Sequence, residues 1–132
     1  NAIIEKAYLN LYFNNTSVYD KILGGNGSQG NDSIIIQQIT SEWNEKEVTW
    51  AKQPSTTVKN QICIPMKGSP RTDYQNIDIT NLIKEMIKDR SNQYGLLVRF
   101  KNEDPYNVVF FSSTNHPNKN IHPKLTILFR PN

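Results

Sequence analysis

Seven short apolar segments, separated by clusters of Gly, Asn and Pro, constrain this chain more than any other feature of its sequence. In the first, residues 3 to 13, Ala7, Leu9, Leu11 and Phe13 alternate with Tyr8, Asn10 and Tyr12. A period of two sends successive side chains to opposite faces of a pleated strand, so this segment reads as a strand with one buried face. Ser33 to Ile39, Val58 to Met66, Gln75 to Ile79, Tyr94 to Lys101, Asn107 to Ser112 and Lys124 to Arg130 read as further strands, alternating or Ile-rich at their centres. The Asn- and Gly-rich stretch from residue 14 to 33 reads as a long surface loop holding a short strand at Val18 to Leu23. Only one stretch has helical spacing. Leu82, Ile83, Met86 and Ile87 recur at intervals of three to four, Thr80 stands at the N-cap, and Ser91-Asn92 ends the run after about three turns. This pattern predicts an all-β fold, a mainly antiparallel β-sandwich with one short helix.

The chain's 132 residues suit a single domain, and a 36% hydrophobic, 20% charged composition is too apolar for a disordered tail. No run approaches the roughly 20 apolar residues of a spanning helix, so no membrane insertion is expected. The net charge of +3 lacks the clustered Lys/Arg stripe of a nucleic-acid binder, so nucleic acid is not an expected partner. The basic surplus falls in residues 71 to 132, with nine basic and six acidic side chains against six of each before them. Cys63, the single cysteine, has no internal disulfide partner and reads as a small buried apolar residue.

Catalytic chemistry finds few candidates. His116 and His122 both precede proline in a loop, six residues apart, and read as surface histidines rather than metal ligands. Ser112-Ser113 lacks the Gly-x-Ser-x-Gly elbow of hydrolases, and Gly24-Gly25-Asn26-Gly27 lacks the Lys-Ser/Thr ending of a phosphate loop. Glu42, Glu45 and Glu47 form the one close acidic group. Glu45 and Glu47 could act as an acid/base pair in a glycosidase, but loop carboxylates that accept backbone N–H groups are the simpler reading. No catalytic residue, metal or cofactor is assigned. Four Asn-x-Ser/Thr triplets, at Asn14, Asn15, Asn26 and Asn31, are what an Asn-rich loop yields by chance.

Aromatic residues remain. The C–H faces of sugars stack on flat rings while their hydroxyls take hydrogen bonds from polar side chains. Trp43, Trp50, Tyr74, Tyr94 and Tyr106 are the candidates. Both tryptophans flank strands and are expected to plug the core, whereas Tyr106, in a hairpin loop, is expected to be an exposed platform. Strand parity turns Arg99 and Lys101 outward if Leu96, Val98 and Phe100 face the core. Lys124 and Arg130 likewise oppose Leu125, Ile127 and Phe129. Side by side, these four would form a basic face for an acidic polysaccharide, since Arg binds carboxylates bidentately. Outward Lys and Arg also protect strands from edge pairing.

The motif series resembles the DNRLRE domain family over nearly the whole chain. It runs from Glu5-Lys6-Ala7-Tyr8-Leu9-Asn10-Leu11-Tyr12 through Trp43-Asn44-Glu45-Lys46-Glu47-Val48-Thr49-Trp50 with Pro54 behind it. Asp78-Ile79-Thr80, Asn92-Gln93-Tyr94-Gly95-Leu96, Phe111-Ser112-Ser113 and Pro123-Lys124-Leu125-Thr126-Ile127 follow. The Trp-x-Glu-x-x-Val-Thr-Trp spacing is the most specific block. The resemblance implies a jelly-roll-like sandwich from secreted or cell-surface proteins, a non-catalytic accessory module of the carbohydrate-binding kind with acidic polysaccharide among its ligands. The alternative is a structural spacer or adhesion module without a glycan ligand, and a third, less favoured, is a polysaccharide-degrading enzyme. Thr114-Asn115 stands where relatives carry Arg-Glu, so no role of that pair carries over. Relatives also have strands ahead of the Ala7 to Phe13 segment. The chain is therefore expected to be a fragment of a larger protein with other domains, its first strand lying at a sheet edge or pairing with another chain.

Overall fold

In the computed structural model, residues 2–15, 32–69, 71–103 and 108–132 are described. They form β1 (Ala2–Leu11), β2 (Ser33–Ile39), β3 (Thr56–Pro65), β4 (Tyr74–Asp78), α1 (Thr80–Met86), β5 (Leu96–Phe100), a 3-10 turn at Lys119–Ile121, and β6 (Lys124–Pro131). The strands divide into two three-stranded sheets, β4-β1-β6 and β3-β2-β5, every pairing antiparallel. This is the all-β sandwich with one short helix that the alternation predicts.

Parity decides what the sheets enclose. Ala7, Leu9 and Leu11 of β1 meet Ile34 and Ile36 of β2, Tyr74 and Ile77 of β4, and Leu82 and Ile83 of α1 in one buried cluster. Burying each large aliphatic side chain here contributes about 1.5–3 kcal/mol. Tyr74 packs edge-on against Phe111 with ring centroids 5.7 Å apart. The central strand β2 is buried on both faces, so its outward face must satisfy polar groups rather than expose them. Gln37 does this: its Nε2 donates to Gln61 Oε1 (2.7 Å), and its Oε1 accepts from Thr56 Oγ1 (3.1 Å) and Arg99 Nε (3.3 Å). Asp32 binds the ends of this sheet together, accepting from the backbone N–H of Ser33 and the side-chain amide of Asn102. Register shifts interrupt β1 and β2 pairing, and Asn60 and Asn76, both at positive φ, stand at two of them.

The helix begins differently from expectation. Ile79 is the N-cap and Thr80 is the first helical residue. The capping oxygen belongs to Asp78, whose Oδ1 accepts the Thr80 N–H at 3.0 Å. Thr80 Oγ1 in turn accepts the buried N–H of Ala7 (3.0 Å) and donates to Asp78, joining α1 to β1. These hydrogen bonds, the Thr80 hydroxyl foremost, with that from Lys6, hold the Asp78 carboxyl at about 2. The helix stops at Met86, a turn earlier than its periodicity suggests, because Asp89 captures the Ser91 N–H and hydroxyl in a turn of its own.

Four other expectations need correction. The strand expected from Asn107 to Ser112 is reduced, among the described residues, to an isolated bridge between Phe13 and Phe111. β1 does not lie at an edge; it is the centre of its sheet, and β4 and β6 are the edges. Leu125, Ile127 and Phe129 do sit on the core-side face, opposite Leu9, Ala7 and Ile4, yet they are 47%, 38% and 66% exposed. An edge strand that packs principally on one neighbour leaves its apolar face partly uncovered. Cys63 is exposed, since its position on the outer strand β3 gives it only one paired neighbour. The short strand expected at Val18 to Leu23 lies outside the described residues. Among the described residues no helix is long and apolar enough to cross a membrane.

Candidate functional site

The connection from β2 to β3, residues 40 to 55, is too long for a tight hairpin, so its shape depends on its own hydrogen bonds. Its base is closed by Thr40 N–H to Ser55 O (2.8 Å) and Ser55 N–H to Ser41 Oγ (2.9 Å). Within it, Asn44 turns the chain by accepting Lys46 N–H on its side chain and Glu47 and Val48 N–H on its carbonyl. A bridge between Thr49 and Lys52 makes a second tight turn with Trp50 near its tip, and Gln53 Nε2 donates to Trp50 O. Trp43 fastens the loop to the sandwich by donating its Nε1–H to Tyr94 O at 2.8 Å.

Two hollows flank this loop. One, of about 620 Å³, lies inside it and is lined by Glu42, Trp43, Asn44, Glu45, Glu47, Lys52 and their neighbours. Its walls are rich in acceptors, with Lys52 and Glu47 3.7 Å apart as an exposed ion pair. The other, of about 520 Å³, runs along β5 and is lined by Trp50, Val98, Arg99, Phe100, Glu103, Val109 and Phe111 together with Ile34. Here a flat indole and an apolar floor meet, with Arg99 of the edge strand β5 in the lining. Arg99 is oriented before any ligand arrives, with Nε on Gln37 Oε1 and Nη1 on Phe100 O at 3.2 Å.

The tryptophans are not core plugs. Trp43 is 44% and Trp50 73% exposed, because the loop that carries them stands off the sheets instead of folding between them. The core is built from aliphatic residues of β1, β2, β4 and α1 together with Tyr74. Tyr74, by contrast, is buried, and Tyr94 is half-buried. Tyr106 lies outside the described residues. The four cations do not form one face: Arg99 and Lys101 belong to the β3-β2-β5 sheet or its end, Lys124 and Arg130 to β4-β1-β6. Outward positions on the two sheets of a sandwich point away from each other. Arg130 is paired with Glu5 at 3.3 Å. Of the four, only Arg99 lines a hollow beside an exposed tryptophan.

The acidic trio Glu42, Glu45 and Glu47 lines the polar hollow rather than a deep cleft. The histidines tie down their own loop: His122 Nε2 lies 2.6 Å from His116 O, and His116 Nδ1 accepts from Asn118 N–H. Among the described residues no three His, Cys, Asp or Glu side chains are grouped to hold a metal ion.

A β-sandwich that displays tryptophans from one inter-strand loop, above shallow and partly polar hollows, has the form of a ligand-binding module. The comparison with protein families identifies which kind: the chain belongs to carbohydrate-binding module family 96, whose model matches residues 4–128. No curated protein and no solved structure matches the chain. The signal for Trp50 was present in the Trp-x-Glu-x-x-Val-Thr-Trp block, but nothing in that spacing distinguishes a ring facing inward from one facing solvent.

Proposed function

We propose that this domain is a non-catalytic module that holds an acidic polysaccharide across Trp50 and Arg99, within a larger secreted or cell-surface protein. Family membership supplies carbohydrate as the ligand class. The observation that carries the finer reading is the 73% exposed Trp50 indole lining the same hollow as the pre-oriented Arg99. A sugar ring stacked on the indole lies along the edge strand β5, and a uronate carboxylate that reaches round this edge meets the Arg99 guanidinium, which binds it more strongly than a neutral hydroxyl. Three glutamates in the neighbouring hollow disfavour a polyanion there, so the β5 side is the proposed side of entry. The DNRLRE resemblance supports an accessory role beside other domains and an extracellular setting. The spacer or adhesion reading draws on a different observation, the apolar residues left uncovered on β6, which suit contact with protein better than with sugar.

Affinity electrophoresis and calorimetry against soluble uronate polymers and neutral glucans test the proposal. Wild type is expected to be retained by a uronate polymer, and Trp50→Ala to weaken binding by about tenfold or more, about 1.4 kcal/mol. Arg99→Gln should weaken uronate binding while sparing any neutral ligand. Retention by no polysaccharide favours the spacer, and a Trp50→Ala variant that binds like wild type removes the proposed site.

A further inference from the structure

We propose that Trp43 is a positioning residue, whose indole N–H fixes the distance between the Trp50 platform and the Arg99 strand. The inference rests on the ligand lying over Trp50 and deepens that reading. Among the described residues, the Trp43 Nε1–H to Tyr94 O hydrogen bond is the one that leaves the 42–54 stretch for the rest of the domain. The other bonds within that stretch, at Asn44, Thr49, Lys52 and Gln53, give the loop shape but no fixed place. Tyr94 is well chosen as an anchor. Its neighbour Gly95, at φ +107°, accepts Ile39 N–H at 2.9 Å, and Asn92 O accepts from Gln38 Nε2 at 3.1 Å. The acceptor is therefore clamped to β2 on both sides just before the chain enters β5, the strand that presents Arg99. Without the indole N–H, the turns of the loop open more readily as it swings on its base at Thr40 and Ser55, and Trp50 spends less time in the geometry that lines the β5 hollow.

Trp43→Phe tests this, since it keeps an aromatic ring and deletes only the donor and some ring area. Binding to a soluble uronate polymer is expected to weaken about fivefold, the equivalent of one lost hydrogen bond. The same substitution made in a Trp50→Ala background is expected to cause no further loss, because its effect passes through Trp50. A merely structural role would lower the melting temperature and weaken both backgrounds alike. Hydrogen exchange gives a readout that needs no ligand: the amides of Glu47, Val48 and Lys52 should exchange faster in Trp43→Phe while those of β2 do not change. Gly95→Ala, which strains the acceptor side at a positive φ, should reproduce the binding loss and covers the case of a poorly folded Trp43 variant. If wild type binds no polysaccharide, the functional proposal fails, and hydrogen exchange alone decides the pinning. Unchanged affinity or unchanged loop protection in Trp43→Phe overturns the inference.

Discussion

Replacing Thr80 with Val removes one oxygen atom and almost nothing else, yet the structure makes that oxygen the joint between helix and sheet. Thr80 is 8% exposed and its hydroxyl accepts the N–H of Ala7, a residue with no exposed surface. Valine has nearly the same shape, so packing around Leu82 and Ile83 survives while the Ala7 amide is left without an acceptor. An orphaned buried donor costs about 1–3 kcal/mol, and the strain of losing the Asp78 contact acts in the same direction. Taking about 2 kcal/mol, and an unfolding entropy of about 2.1 cal/mol/K per residue, a chain of this length should melt about 7 °C lower. Urea titration followed by tryptophan fluorescence, with Thr80→Ser as the control that keeps the hydroxyl, measures it. A loss under about 0.5 kcal/mol for Thr80→Val, or an equal loss for both variants, refutes the account of Thr80 as the joint.

Two further outcomes follow from the surface. Asp78 is lowered from 3.8 to about 2, chiefly by the Thr80 hydroxyl, and Glu85 from 4.5 to about 2 by hydrogen bonds from Lys59 and then Lys88. Because the unfolded chain binds more protons between those values, stability should hold above pH 4.5 and fall as the pH drops from there toward about 2. Asp78→Asn and Glu85→Gln should each flatten that fall in denaturant titrations across the range. On β6, Phe129 is 66% exposed in the uncharged run Leu125 to Phe129, flanked by Lys124 and Arg130, so Phe129→Lys should lower light scattering at high protein concentration. Its stability should stay within about 0.5 kcal/mol of wild type, measured by the same urea titration.

Local pattern was enough to locate most of the strands. Ala7, Leu9 and Leu11 share a face because side-chain direction alternates along any strand, whatever it packs against. The same rule placed Leu125, Ile127 and Phe129 on the core side, and the sequence of apolar positions around Leu82 marked the helix. The Asp78-Ile79-Thr80 entry was visible too, although which oxygen caps the helix depends on the backbone angles at Ile79, and the Ala7 amide that Thr80 receives arrives from 73 residues away.

Exposure was another matter, because it belongs to pairs of surfaces rather than to one segment. Trp43 and Trp50 look inward by composition and face solvent in the folded domain, since the loop that carries them is bonded to itself and to Tyr94 at the surface rather than to the core. Arg99 and Lys124 could be given an outward direction from parity alone, but only strand order decided that they lie in different sheets. Alternation is a property of covalent geometry and can be read along the chain; strand order, edges and the placing of Trp50 beside β5 arise from long-range pairing, which only the tertiary structure decides.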